Sequence, residues 1–148
     1  LAAEMAGTPI DLASIGDAFD TLSQSYEMVI AEGAGGVLVP IDRERTMLDL
    51  MKMLQLPVVV AARPALGTLN HTLLTLHRLR AEGLKVLAVV LIESEPMEAG
   101  FIEEDNRKTL KEMAGAPVLG PIPFMTDLSP TSFGTTTRPV AEELIDQD

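Results

Sequence analysis

Cysteine is absent from the 148 residues, which excludes a disulfide scaffold and thiolate chemistry and points to the cytosol. Histidine is nearly absent as well. With only His71 and His77 available, a histidine-rich metal site is ruled out. Basic residues are scarce: 11 Lys and Arg stand against 22 Asp and Glu, giving a net charge of -11. A chain that neutralises nucleic-acid phosphates needs a basic patch, so no nucleic-acid partner is expected. No apolar run approaches the roughly 20 residues that span a bilayer, and no signal-peptide pattern opens the chain, so no membrane partner is expected either. What the chain has is apolar mass. Hydrophobic residues make up 47% of it, enough at this length for one buried core, and the eight methionines read as core fillers.

The apolar pattern alternates between two periods. Asp11 reads as an N-cap, and Leu12, Ile15, Phe19 and Leu22 follow at helical spacing. Met28–Ala31 predicts a strand. Met47, Leu48, Leu50, Met51 and Leu54 predict a helix over 46–54. The run 57–62 is apolar and β-branched, as in a strand covered on both faces. A third helix is capped by Thr68 or Asn70, carries Leu69, Leu73, Leu76 and Leu79, and stops at Gly83. "KVLAVVL" at 85–91 predicts another buried strand. A charged helix over 102–113 follows, with Ile102, Leu110 and Met113 on its buried side. "APVLGPIP" supplies a short last strand and 138–145 a terminal helix; 129–139, rich in Thr, Ser, Pro and Gly, reads as a mobile loop. Helices alternating with buried strands predict one α/β domain over 1–148, a parallel sheet flanked by helices.

In such sheets ligands sit at the carboxyl ends of strands. The polar turns 32–36, 63–70, 92–96 and 121–126 all fall there. In "AEGAGGVLVP" (31–40), Gly33, Gly35 and Gly36 allow positive φ and let a ligand lie against bare backbone. Glu32 is placed as Mg²⁺ bound to a nucleotide requires, since Mg²⁺ takes few protein oxygens beside phosphate and water. An ordinary strand exit with a solvated Glu32 explains the same residues. "RPALGTLNHT" joins a strand to a helix N-terminus, where free N–H groups favour an anion. A plain capped loop is the alternative. His71 and His77 lie on a leucine-rich helix and read as packing or surface residues, and 93–98 as a solvated acidic loop. The phosphate-binding Gly-x-x-x-x-Gly-Lys-Ser/Thr signature occurs nowhere.

"VIAEGAGGVLVP", "LPVVVAARPALGTLNHTLLTLHRLRAEGLKVLAVVL" and "GAPVLGPIP", in this order and spacing, resemble the C-terminal two-thirds of dethiobiotin synthetase over about residues 1–125. The resemblance implies a P-loop NTPase-like fold, incomplete here, working as a cytoplasmic homodimer with shared active sites. It implies an ATP- and Mg²⁺-dependent ligase that closes a cyclic urea from 7,8-diaminononanoate and CO₂ in biotin synthesis. Carried over residue by residue, Glu32 is a Mg²⁺ ligand, and Glu32, Gly33, Ala34 and Gly35 lie along the nucleotide phosphates. Gly67, Thr68, Leu69 and Asn70 bind the substrate carboxylate across the dimer interface. Pro123, Phe124 and Met125 flank the nucleotide base.

Two departures accompany it. The family's first strand, P-loop and catalytic lysine are expected upstream of Leu1, so the chain reads as part of a longer polypeptide that is inactive by itself. An asparagine that reads adenine usually follows the "VVL" strand, whereas Ile92 and Glu93 stand here. Two other readings remain at this point: a non-catalytic dimerising paralogue, or another P-loop synthetase that forms amides.

Overall fold

A computed structural model describes residues 2–96 and 100–145. They divide between two compact units, Leu1–Leu56 and Pro57–Asp148.

The first unit holds α1 (Ala2–Met5), α2 (Leu12–Ser25) and α3 (Met47–Leu54). Asp11 caps α2 as expected: Oδ1 accepts from the Ala13 N–H at 3.0 Å, and Oδ2 accepts from the Ser14 hydroxyl at 2.6 Å. Those bonds hold the Asp11 carboxyl below the usual carboxylate range. Thr46 precedes α3, and its N–H donates to Asp49 Oδ2 at 2.7 Å. The N–H groups that open α3 go to the loop before it, Met47 to Val39 O at 2.9 Å and Leu48 to Val37 O at 2.8 Å. Only Leu12 of the helical α2 set is buried, and Leu22 is exposed.

Residues 28–31 form no strand, contrary to the sequence pattern. A strand is completed only by a neighbour that takes its N–H and C=O groups, and no described strand pairs with this segment. Met28 and Ile30 accordingly stand 78% and 85% exposed.

The second unit is a three-stranded parallel sheet of order β1-β2-β3, with β1 at Val58–Ala62, β2 at Val86–Ile92 and β3 at Val118–Ile122. Between the strands run α4 (Thr68–Ala81) and α5 (Phe101–Met113); α6 (Pro130–Ile145) follows and packs on β3. The core joins Leu76 of α4, Val89 and Leu91 of β2, Leu110 of α5 and Val118 of β3. The centre strand β2 is the buried one. β1, expected to be covered on both faces, is the end strand among the described residues, and its Val59 and Ala61 are exposed.

Three further details differ from the sequence pattern. Gly67, at φ +92°, caps α4, and Thr68 is its first residue, so neither Thr68 nor Asn70 is the cap. Gly83, at φ +74°, does end it. On α5 the buried side carries Asn106 and Leu110, while Ile102 and Met113 are exposed. The segment 129–139 is helix from Pro130 onward rather than loop: Ser129 Oγ accepts from the Ser132 N–H at 3.4 Å, and the Asp127 carboxylate in turn accepts from the Ser129 N–H at 2.9 Å.

Candidate functional site

Because β1, β2 and β3 run parallel, the turns that follow them leave the sheet at the same edge. The turn after β1 borders a cavity of about 360 Å³. Val60, Ala62, Leu66 and Ile92 give it apolar walls; Thr68, Thr72, Thr75 and Ser94 supply hydroxyls, and Arg63 and His71 supply nitrogen donors. Among the described residues no Asp or Glu lines it. In a chain with twice as many acids as bases, that makes the cavity a local exception suited to an anion with an apolar body.

The start of α4 forms one wall, and of the four residues expected at the substrate, Thr68 lines the cavity. Its side chain is buried, and its hydroxyl shares a 3.2 Å hydrogen bond with that of Thr72. The Thr68 N–H is already used by Ala65 O at 3.1 Å. Leu69 packs its side chain on the core, so only its backbone is available to a ligand. Asn70 is exposed. In the first turn of α4 the N–H groups of Leu69 and Asn70 have no partner within the helix, leaving them as anion donors. Gly67 makes this entry geometry possible, since φ +92° is a conformation that side-chain-bearing residues rarely adopt.

The ends of β2 and β3 meet directly. Ile92 pairs with Ile122, and the Glu93 N–H donates to Ile122 O at 2.9 Å. Glu93 Oε2 then accepts from the Phe124 N–H at 3.1 Å. Ile92, Glu93, Pro123 and Phe124 are therefore gathered into one cluster, with Met125 next in the chain. Glu93 is not simply part of a solvated acidic loop. Residues 97 and 98 of that loop lie outside the described residues.

Glu32, Gly33, Ala34 and Gly35 belong to the first unit, all exposed, and follow no strand. Of the three glycines in this turn only Gly35 has positive φ, +79°. A Cβ there would stand 2.9 Å from Val39 Cγ2, and one on Gly33 would stand 3.2 Å from Met47 Cγ. The backbone of the turn is thus packed against its own continuation, and a side chain at Gly35 has no room. Among the described residues no three His, Asp or Glu side chains gather as a metal cage. Glu32 is an exposed carboxylate, and Mg²⁺ that arrives on phosphates asks for only one or two of these.

Sequence reasoning missed several residues. His71, taken as packing or surface, lines the cavity, as do Arg63, Thr72, Thr75 and Ser94. The i, i+4 spacing of Thr68 and Thr72 was a visible signal of a shared helix face. Asn106 gave none, being one polar residue in a charged helix, yet its Nδ2 donates to Pro64 O at 3.0 Å.

A family model described as an AAA domain matches residues 1–132. ATP-dependent dethiobiotin synthetase BioD of Thermodesulfovibrio yellowstonii is 37% identical over 134 residues, covering 86% of this chain and 56% of that protein. The protein of the same name from Bacillus cereus is 40% identical over 124 residues, covering 84% and 51%. That of Bacillus thuringiensis is 39% identical with the same coverage. The chain spans about half the length of the curated relatives it matches. No helix among the described residues is long and apolar enough to cross a membrane. The chain belongs to the family that this AAA-domain model defines, and the relatives it matches there are dethiobiotin synthetases.

Proposed function

We propose that this chain carries the substrate- and nucleotide-facing turns of an ATP-dependent dethiobiotin synthetase, a ligase acting on 7,8-diaminononanoate and CO₂. In the proposed sequence, one amine of the substrate adds to CO₂ to give a carbamate. A carbamate oxygen takes the γ-phosphoryl group of ATP, and the second amine displaces phosphate to close the cyclic urea. The observation that carries the reading is the cavity at the start of α4, lined by Arg63 and His71 and by no Asp or Glu among the described residues. Its apolar walls suit an aliphatic chain, and Arg63, His71 and the first N–H groups of α4 suit the carboxylate at its end. Gly67, Thr68, Leu69 and Asn70 are the residues assigned to that carboxylate, in an active site shared across a homodimer.

Glu32 to Gly35 are assigned to the nucleotide phosphates, and Ile92, Glu93, Pro123, Phe124 and Met125 to its base. Glu32 would hold Mg²⁺, which supplies neutralisation of the phosphate charge during transfer. The P-loop lysine that phosphoryl transfer also requires is assigned to sequence preceding Leu1, in a longer polypeptide. The 148 residues alone are then inactive.

Two measurements test this. The complete polypeptide should convert 7,8-diaminononanoate, CO₂ and ATP to dethiobiotin, read by mass spectrometry. Absence of that product under conditions where the protein is folded and dimeric would refute the assignment. Asn70→Ala should raise KM for the diamino acid and leave that for ATP in place; a parallel change in both would remove Asn70 from the substrate site.

A further inference from the structure

Thr68, Thr72 and Asn106 are the buried polar side chains among the described residues, and of the three it is Asn106 that reaches the loop before α4. Thr68 and Thr72 tie the first turn of α4 to itself through their hydroxyls. Asn106 comes from a different helix. From α5 its Nδ2 donates to Pro64 O at 3.0 Å and approaches Ala65 O at 3.5 Å. The Ala65 carbonyl also accepts the Thr68 N–H at 3.1 Å, so the contacts of the amide continue into the start of α4.

An asparagine is a poor choice for the middle of a helix and for a buried position. Leu110, one turn further along α5, shows what the packing itself wants: it is fully buried in the apolar core. The buried amide finds its acceptors in the loop rather than in the core. Its two acceptors are carbonyls of Pro64 and Ala65, immediately before Leu66 and the positive-φ Gly67. Fixing them fixes the direction in which the chain enters α4.

We infer that Asn106 is a positioning residue: by holding the Pro64 and Ala65 carbonyls it sets the backbone of Gly67–Asn70 against the substrate, without touching substrate itself. This rests on the reading of Gly67–Asn70 as the substrate-carboxylate site. A site held in place before binding spends less of its affinity on ordering, so loosening the loop raises KM for the ligand the loop holds.

The test uses the complete polypeptide, Asn106→Leu and Asn106→Asp beside Asn70→Ala, and separate KM values for the diamino acid and ATP. In Asn106→Leu the KM for the diamino acid should rise about fivefold or more while that for ATP stays within about twofold. In Asn106→Asp an ionised carboxylate would face two carbonyl oxygens, whereas a protonated one donates to Pro64 O in place of the amide. Its KM for the diamino acid, taken as a ratio to the parent at each pH, should therefore fall as pH is lowered from about 8 to about 6, because this environment opposes ionisation. A role only in stability would lower Tm and shift neither the ratio nor the balance between the two KM values. Folded Asn106→Leu with both KM values within about twofold of the parent, a parallel rise in both, or failure of both variants to fold would each overturn the inference. Asn70→Ala keeps the two ideas separate. An unchanged KM there removes Asn70 from the substrate site, while a selective rise in Asn106→Leu still assigns the loop-setting role.

Discussion

Replacing Gly35 by alanine perturbs the glycine turn in two separable ways. The first is conformational. Gly35 sits at φ +79°, and an L-residue held in left-handed backbone costs about 1–2 kcal/mol. The second is steric. The new Cβ would lie 2.9 Å from Val39 Cγ2, well inside van der Waals contact, so Val39 must turn away from its rotamer at about 0.5–1.5 kcal/mol. Together Gly35→Ala should destabilise by roughly 2–3 kcal/mol. Val39 is partly exposed, so Val39→Ala alone should cost little, and the double variant should retain only the conformational part. Gly35→Asn gives the complementary result, since asparagine tolerates the left-handed region but carries the same Cβ. Denaturant unfolding of the four variants measures the stability terms, and KM for ATP in the complete polypeptide reads the consequence for a turn proposed to face the phosphates. Gly35→Ala within about 0.5 kcal/mol of the parent, the ordinary range for an innocuous surface change, would refute the reasoning. So would a double variant no more stable than Gly35→Ala.

Glu32→Gln should lower Mg²⁺-dependent turnover by more than about tenfold, roughly 1.4 kcal/mol of barrier, with little change in Tm, because Glu32 is exposed; a smaller loss would remove Glu32 as a metal ligand. Ile92 offers the base neither donor nor acceptor, so the four nucleoside triphosphates should differ by less than about 100-fold in kcat/KM, near 2.7 kcal/mol. A larger preference for ATP would mean that Glu93, fixed by the Phe124 N–H, reads the base instead. Leu110→Ala removes a side chain that is 0% exposed from the core and should cost about 2–5 kcal/mol in denaturant unfolding. A cost under about 1 kcal/mol would mean that the site collapses around the gap.

The second unit was legible in the sequence because its strands are continuous apolar runs punctuated by Gly67, Gly83 and Gly115, each observed at positive φ. Their order gave a parallel sheet, and the turn after β1 could be placed at its edge. The first unit was less legible. Met28–Ala31 has the composition of a strand, but composition names a side-chain environment and not the hydrogen-bond partner a strand requires. Segment 129–139 misled for the opposite reason. Its Thr and Ser residues disfavour helix individually, yet the helix packs on β3, a tertiary contact that local propensity does not record, with Thr135 and Thr137 bonding Thr131 O and Phe133 O at 2.9 Å. The cavity lining was hidden because it joins Arg63 and Ser94, from turns after different strands, to Thr72 and Thr75 of α4, a set that carries no motif. Asn106 was hidden for a simpler reason: its partners are main-chain carbonyls about 40 positions earlier, whose identity no residue pattern records.

The position of β1 as the end strand of the described sheet has a practical consequence for any preparation of these 148 residues. Its sequence, VVVAA, carries no lysine, proline or inward charge, the devices that ordinarily blunt a sheet margin, and among the described strands it pairs only with β2. Val59 stands 55% exposed on it. Such a margin templates addition of further strands, so the isolated chain should scatter light increasingly with concentration. Val59→Lys should suppress that scattering; Val59 itself does not line the cavity, which takes Val60, Ala61 and Ala62 from the same strand. An assembly formed in this way is sheet extension, open-ended and free of symmetry, and it is told apart from a functional two-fold dimer by its failure to stop at two.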